Sequence, residues 1–203
     1  MAIERTPQAV WRSLQEGNER FMHFQEERPN QDQGRRSQLT QGQDPIAAVL
    51  ACSDSRVPVE MIFDQGLGDV FVIRTAGEIT DLAVMGSLEY AVESLHVPLI
   101  VIMGHESCGA VAATQAALDG HEIPGGYQRV LIEKVSPSIL EARAAGCTTT
   151  AEFEAYHVAE TVDMVLSRSP EIKAKVSKGE LGVVGVRYRL SDGMAEPVAS
   201  LGI

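Results

Sequence analysis

Basic residues are scarce in this chain. Seventeen lysines and arginines stand against 28 aspartates and glutamates, a formal net charge of −11. A phosphate backbone is bound by clustered Lys and Arg, and the doublet Arg35-Arg36 is too short to supply that surface, so no nucleic-acid partner is expected. Cysteine is nearly as rare: Cys52, Cys108 and Cys147 are the full set. An odd, low count makes a poor disulfide framework and suits a reducing, cytoplasmic compartment, where spaced Cys and His more often serve metal or catalysis. No apolar run approaches the roughly 20 residues of a membrane span, and the opening "MAIERTPQAVW" lacks the apolar core of a secretory signal. Aromatics make up only 5% of the chain, so any core must be built from small and branched side chains.

Such side chains are plentiful. An apolar fraction of 44% in 203 residues is enough for one sizeable core. Thr6 to Phe24 reads as a helix, with Thr6 as cap, Pro7 in the first turn, and a stripe of Val10, Trp11, Leu14, Phe21 and Met22 broken only by Asn18. A polar stretch, 26–44, follows as a loop with room for a short helix. A greasy helix before a polar linker fits an arm that wraps a second subunit, or one that packs on its own domain. Beyond it lie apolar runs of strand length at 45–52, 69–77, 97–105 and 181–190. One short helix fits between the first two, and helical stretches are expected near 80–95, 107–119 and 151–168. Continuous apolar strands alternating with helices predict an α/β fold: a mostly parallel four-stranded central sheet flanked by helices. Asp192-Gly193 signals a hairpin that adds an antiparallel C-terminal edge strand. We expect a single α/β domain over 1–203, with 1–42 an N-terminal helical arm and linker and 43–203 the core.

The chemistry concentrates at two strand ends. The first run ends on Cys52, and the third ends on His105 with Cys108 three residues on, in "MGHESCGAV". Ligands in open parallel sheets gather outside the carboxyl ends of strands. If the first and third strands are neighbours, Cys52, His105 and Cys108 converge, and two thiolates with one imidazole suit zinc. A fourth position remains. Were Asp54 to fill it, the site would be closed and structural; were water to fill it, the site would be catalytic. Arg56 argues for the second arrangement, because its fork can hold the Asp54 carboxylate away from the metal. Asp54 is then an acceptor for the water, and protonation of Asp54 near neutrality or below would loosen the pair and favour capture of the metal. Zinc with two thiolates is formally neutral and should acidify water less than a three-histidine site. Cys147, in the turn-like "AAGCTTT", reads as a bystander, and His23, His96, His121 and His157 read as surface or helix-packing residues. "DQGLGD" is a turn rather than a phosphate loop, since no GKS or GKT follows it.

"ACSDSRVP", followed some fifty residues later by "GHESCGAV", resembles the β-class carbonic anhydrases. The resemblance runs from about Gln43 to Leu118 and more loosely over the rest. "FDQGLGD", "RTAG" and "SLEYAV" are similar to actinobacterial members. It implies a Zn2+ cofactor on Cys52, His105 and Cys108, with Asp54 and Arg56 as an orienting dyad. It further implies a carbon dioxide pocket at a dimer interface. There Gln43 donates to substrate, Phe71 and Tyr90 line the wall, and Gly109 offers its N–H to bicarbonate. The expected activity is the reversible hydration of carbon dioxide, a zinc lyase reaction, in a homodimer or homotetramer. Two alternatives share these residues: a hydrolase of carbon disulfide or carbonyl sulfide, and a non-catalytic, closed zinc site. A zinc deaminase fits less well, because the PCxxC half of that signature is missing.

Overall fold

The structure, a computed structural model, describes residues 4–203. Five strands form one sheet: β1 Ala47–Cys52, β2 Val70–Thr75, β3 Leu99–His105, β4 Gly182–Tyr188 and β5 Ala195–Leu201. Their order is β2-β1-β3-β4-β5. The first four run parallel and β5 runs antiparallel to β4, so the expected sheet forms with its expected edge strand. Gly193, in the left-handed region at φ +80°, supplies the turn between β4 and β5.

Every residue of β1 and β3 is buried, as continuous apolar strands covered on both faces should be. Side chains alternate between two cores. On one face Ala47, Val49, Ala51, Leu99, Val101 and Met103 pack with α1 (Pro7–Met22) and α3 (Val59–Ile62). On the other, Ala48, Leu50, Ile100 and Ile102 pack with α4 (Leu82–Glu93), α7 (Thr150–Arg168) and α8 (Pro170–Ser177). A short α2 (Gln33–Gln38) lies within the polar linker. The small α5 (Gly109–Leu118) packs against α6 (Arg129–Ala144) beyond the sheet's carboxyl edge.

The first helix packs on the sheet of its own chain. Its apolar stripe is spent on its own sheet: Val10 and Leu14 are fully buried in the first core. Gly17 sits so close that a Cβ there would lie 2.0 Å from the Phe63 carbonyl oxygen. Asn18, the break in the stripe, is a satisfied buried amide. It donates to the carbonyls of Ile62 and Gly193 and accepts from the Ala195 N–H, tying helix, α3 and edge strand together.

Two helices come in addition to those expected. In α6 the residues Ile132, Val135, Ile139 and Ala142 are buried at helical spacing, even though Pro137 lies inside it. In α8 the hydroxyl of Ser169 caps the first turn and Pro170 opens it. No helix among the described residues is long and apolar enough to cross a membrane.

Candidate metal centre

Strand order 2-1-3-4-5 reverses direction between β1 and β3, and the crevice of a doubly wound sheet opens at such a reversal. β1 carries Cys52 to that crevice, and β3, paired beside it, carries His105. The chain then turns through Ser107, at φ +58°, and starts α5 with Cys108 as its N-cap. The two Sγ atoms and a ring nitrogen of His105 lie within 4.8 Å of one another, and all three residues are buried. Donors on a zinc tetrahedron sit roughly 3.5–4 Å apart, given bonds of about 2.0–2.3 Å.

The local hydrogen bonds prepare these atoms. His105 Nδ1 lies 2.8 Å from the Glu106 carbonyl, an acceptor, which fixes the proton on Nδ1. Nε2 is therefore left with a lone pair, fully buried and without a partner. That orphaned atom, facing two sulfurs, fits a soft divalent cation such as zinc. The Cys52 thiol is pulled down by a hydrogen bond from Cys108, with the Gly77 N–H adding to the effect against burial. The Cys108 thiol is pushed up by the Cys52 sulfur and by burial. Two sulfurs sharing one proton are a pair that a cation binds by displacing it.

Asp54 is committed elsewhere. Arg56 grips it through both ends of the fork, Nε to Oδ1 at 2.9 Å and Nη2 to Oδ2 at 2.7 Å, and its backbone N–H adds a third bond. Asp54 Oδ2 still lies 3.9 Å from His105 Nε2, so the carboxylate borders the site without belonging to the cluster. Arg56 holds the Asp54 carboxyl far below the usual carboxylate range. Protonation of Asp54 near neutrality is therefore not available as a trigger, contrary to the sequence-based expectation.

A cavity of about 380 Å³ opens over the cluster. Cys52, Ser53, Asp54, Ala76 and Gly77 form one wall, Gly109, Ala110 and Ala113 of α5 a second, and Pro124, Gln128, Leu131 and Ile132 the outer side. Gly109 lines this cavity. Gln43, Phe71 and Tyr90 do not line this cavity in their own chain. Gln43 is exposed, and the rings of Phe71 and Tyr90 pair at 6.1 Å beside the open β2 edge.

Several supporting residues escaped the sequence reading. Arg74 on β2 donates to the carbonyls of Cys52 and Asp54, anchoring the loop that presents both. Glu154 accepts from the Cys108 N–H at 3.2 Å and is paired with Arg187 at 2.7 Å. Glu78 is buried with φ +40° and one carboxylate oxygen lacking a partner; burial, with the charges of Cys52 and Glu154, pushes its carboxyl well up. Gly104 admits it: a Cβ there would lie 2.7 Å from Glu78 Oε1. The signal for Glu154 and His157 was visible as polar residues on the otherwise apolar face of α7. For Glu78 and Arg74 no sequence pattern marked the role.

Comparison with known proteins agrees with this geometry. The carbonic anhydrase family model matches residues 47–195. Carbonic anhydrase 2 of Mycobacterium tuberculosis H37Rv is 51% identical over 189 residues, covering 93% of this chain and 91% of that protein. The carbonic anhydrase of Mycolicibacterium smegmatis is 52% identical over 196 residues, 97% and 95% of the two chains. Among solved structures, a tetrameric β-carbonic anhydrase of Sordaria macrospora superposes with TM-score 0.73 at 26% identity, over 81% of this chain and 86% of that one. The Coccomyxa β-carbonic anhydrase in complex with acetazolamide gives TM-score 0.70 at 28% identity, over 82% and 78%. The match spans the sheet and both strand ends that carry the cluster, and the chain belongs to the β-class carbonic anhydrase family.

Proposed function

We propose that Cys52, His105 and Cys108 hold the zinc ion with which this carbonic anhydrase interconverts carbon dioxide and bicarbonate. The observation that carries the assignment is the buried, unpartnered Nε2 of His105 facing two cysteine sulfurs, while the neighbouring carboxylate is occupied by Arg56. Zinc bound there supplies a Lewis acid that brings water toward ionisation at neutral pH, behaviour best known from a three-histidine carbonic anhydrase.

The chain's own residues do the rest. Arg56 keeps Asp54 ionised and out of the cation's reach. Asp54 accepts a hydrogen bond from the reacting water and so turns that water's lone pair toward the carbon of carbon dioxide. The largely apolar wall of Ala76, Ala110, Ala113, Leu131 and Ile132 takes the unhydrated substrate. Gly109, first residue of α5, offers a backbone N–H at the positive end of a helix, suited to the bicarbonate oxygens. Gln43, Phe71 and Tyr90 serve the pocket of a neighbouring subunit, Gln43 as donor and the two rings as wall. β2, the strand beside the two rings, has no strand on its outer side in the single chain, which supports a homodimer or homotetramer. The whole of 1–203 acts as one zinc-dependent unit, and a cytoplasmic setting suits its free thiols.

A closed zinc site is disfavoured by the Asp54–Arg56 pair, and hydrolysis of carbon disulfide or carbonyl sulfide by the names of the mycobacterial relatives. Cys108→Ala is expected to lose both zinc, by metal analysis, and carbon dioxide hydration, by stopped flow. Full activity in a zinc-free Cys108→Ala protein would end the proposal.

A further inference from the structure

Gly77 does something for the site that its sequence neighbours do not. Its N–H points at Cys52 Sγ from 3.2 Å. An N–H directed at a thiolate stabilises the negative charge and reduces the electron density the sulfur gives a metal. The backbone there is left-handed, φ +67°, and a Cβ would come 2.6 Å from that of Ala110. A glycine in so open a conformation has no side chain of its own to hold it, so something else must fix its direction.

That role falls to a histidine 80 residues away in the chain. His157 of α7 is 2% exposed, and its Nε2 lies 2.9 Å from the Gly77 carbonyl. Its Nδ1 lies 2.9 Å from the hydroxyl of Ser138 on α6, also buried. A carbonyl only accepts, so Nε2 carries the proton, and Nδ1 then accepts from Ser138. Burial holds the His157 pKa down and keeps the ring neutral. Glu78 Oε1, at 3.9 Å from Nε2, is too far to compete for that proton. Three buried groups from three separate segments thus form one line: Ser138 to His157, His157 to Gly77, and Gly77 to the sulfur.

We propose that His157 is a positioning residue for the Cys52 thiolate, holding Gly77 so that its N–H stays aimed at the sulfur, with Ser138 fixing the ring. The inference rests on the assignment of Cys52 as a metal ligand. Outer partners of this kind typically alter metal affinity by 10–100-fold when removed.

The test compares two conservative replacements in the full-length protein loaded with cobalt(II). In His157→Gln the amide nitrogen takes the place of Nε2 and can still donate to Gly77. In His157→Asn the amide reaches only the position of Nδ1. The readouts are the sulfur-to-cobalt charge-transfer band and the rate at which zinc passes to a chelator. We expect His157→Gln to keep the parent's band and His157→Asn to shift it and release zinc about tenfold faster. Ser138→Ala should shift the band in the same direction by less, and it carries the test if His157→Asn does not fold. If the asparagine and alanine variants keep the parent's band and release rate, or if glutamine and asparagine behave alike, the inference is wrong. A parent protein with no sulfur-to-cobalt band would overturn the metal-site assignment itself, and this inference with it.

Discussion

In the proposed mechanism Asp54 is the residue on which the chemistry turns, because one contact, that with Arg56, would decide whether it serves the reaction or blocks it. Removing Arg56 frees an ionised carboxylate 3.9 Å from His105 Nε2. Arg56→Leu should therefore keep zinc but lose most turnover, as Asp54 moves to close the site. Asp54→Asn should also keep zinc and slow turnover, since the amide accepts less strongly. Retained activity in both would remove the dyad from the mechanism. The pH dependence has a definite sign. The Asp54 carboxyl is depressed by Arg56, so the pair's contribution to stability is complete above the ordinary carboxylate range and disappears as pH falls through the lower folded value. For a pair with a half-exposed arginine that contribution is small. Thermal melts of parent and Asp54→Asn should differ by a constant amount from pH 8 to pH 5 and converge only below about pH 4. Convergence nearer neutrality would mean that Arg56 does not hold the carboxylate. At this scale the sequence was most informative. Two short motifs named the three residues that the fold brings together, because cysteine, histidine and a carboxylate with arginine two residues on are recognisable without a fold. It was silent on Glu78, whose burial depends on the missing side chain of Gly104 in a distant strand.

Among the elements, the strands were readable and the helices less so. A parallel strand covered on both faces is apolar throughout, and β1 and β3 are unbroken runs of such residues. α6 was hidden because glycines and a proline precede it and Pro137 interrupts it, although its buried positions keep helical spacing. The first helix shows the opposite difficulty. Its stripe was visible, but periodicity says only that a face is buried and not which molecule buries it. Leu14, fully buried against its own sheet, provides the check. Leu14→Ala should cost about 2–5 kcal/mol in denaturant unfolding, and the loss should be independent of protein concentration. A loss that grows on dilution would place the helix on a neighbouring subunit after all.

For the molecule as a whole, the division of the pocket matters most. Gly109 and the apolar wall belong to the cavity of their own chain, whereas Gln43, Phe71 and Tyr90 stand away from it, the two rings beside the edge strand of the sheet. If these three act on a neighbour, specific activity should fall on dilution in step with dissociation, measured by mass photometry alongside stopped flow. Constant activity in a monomeric population would confine the pocket to one chain. The adjacency of β1 and β3 has a consequence of another kind. Cys52 and His105 stand side by side, yet α3, β2 and α4 are threaded between them along the chain. On the proposed assignment, one ion gripping both ends would buckle that whole span into a ring, curbing the freedom of the unfolded polypeptide much as a covalent crosslink would. Starved of zinc, such a protein would lose its catalyst and its clasp together.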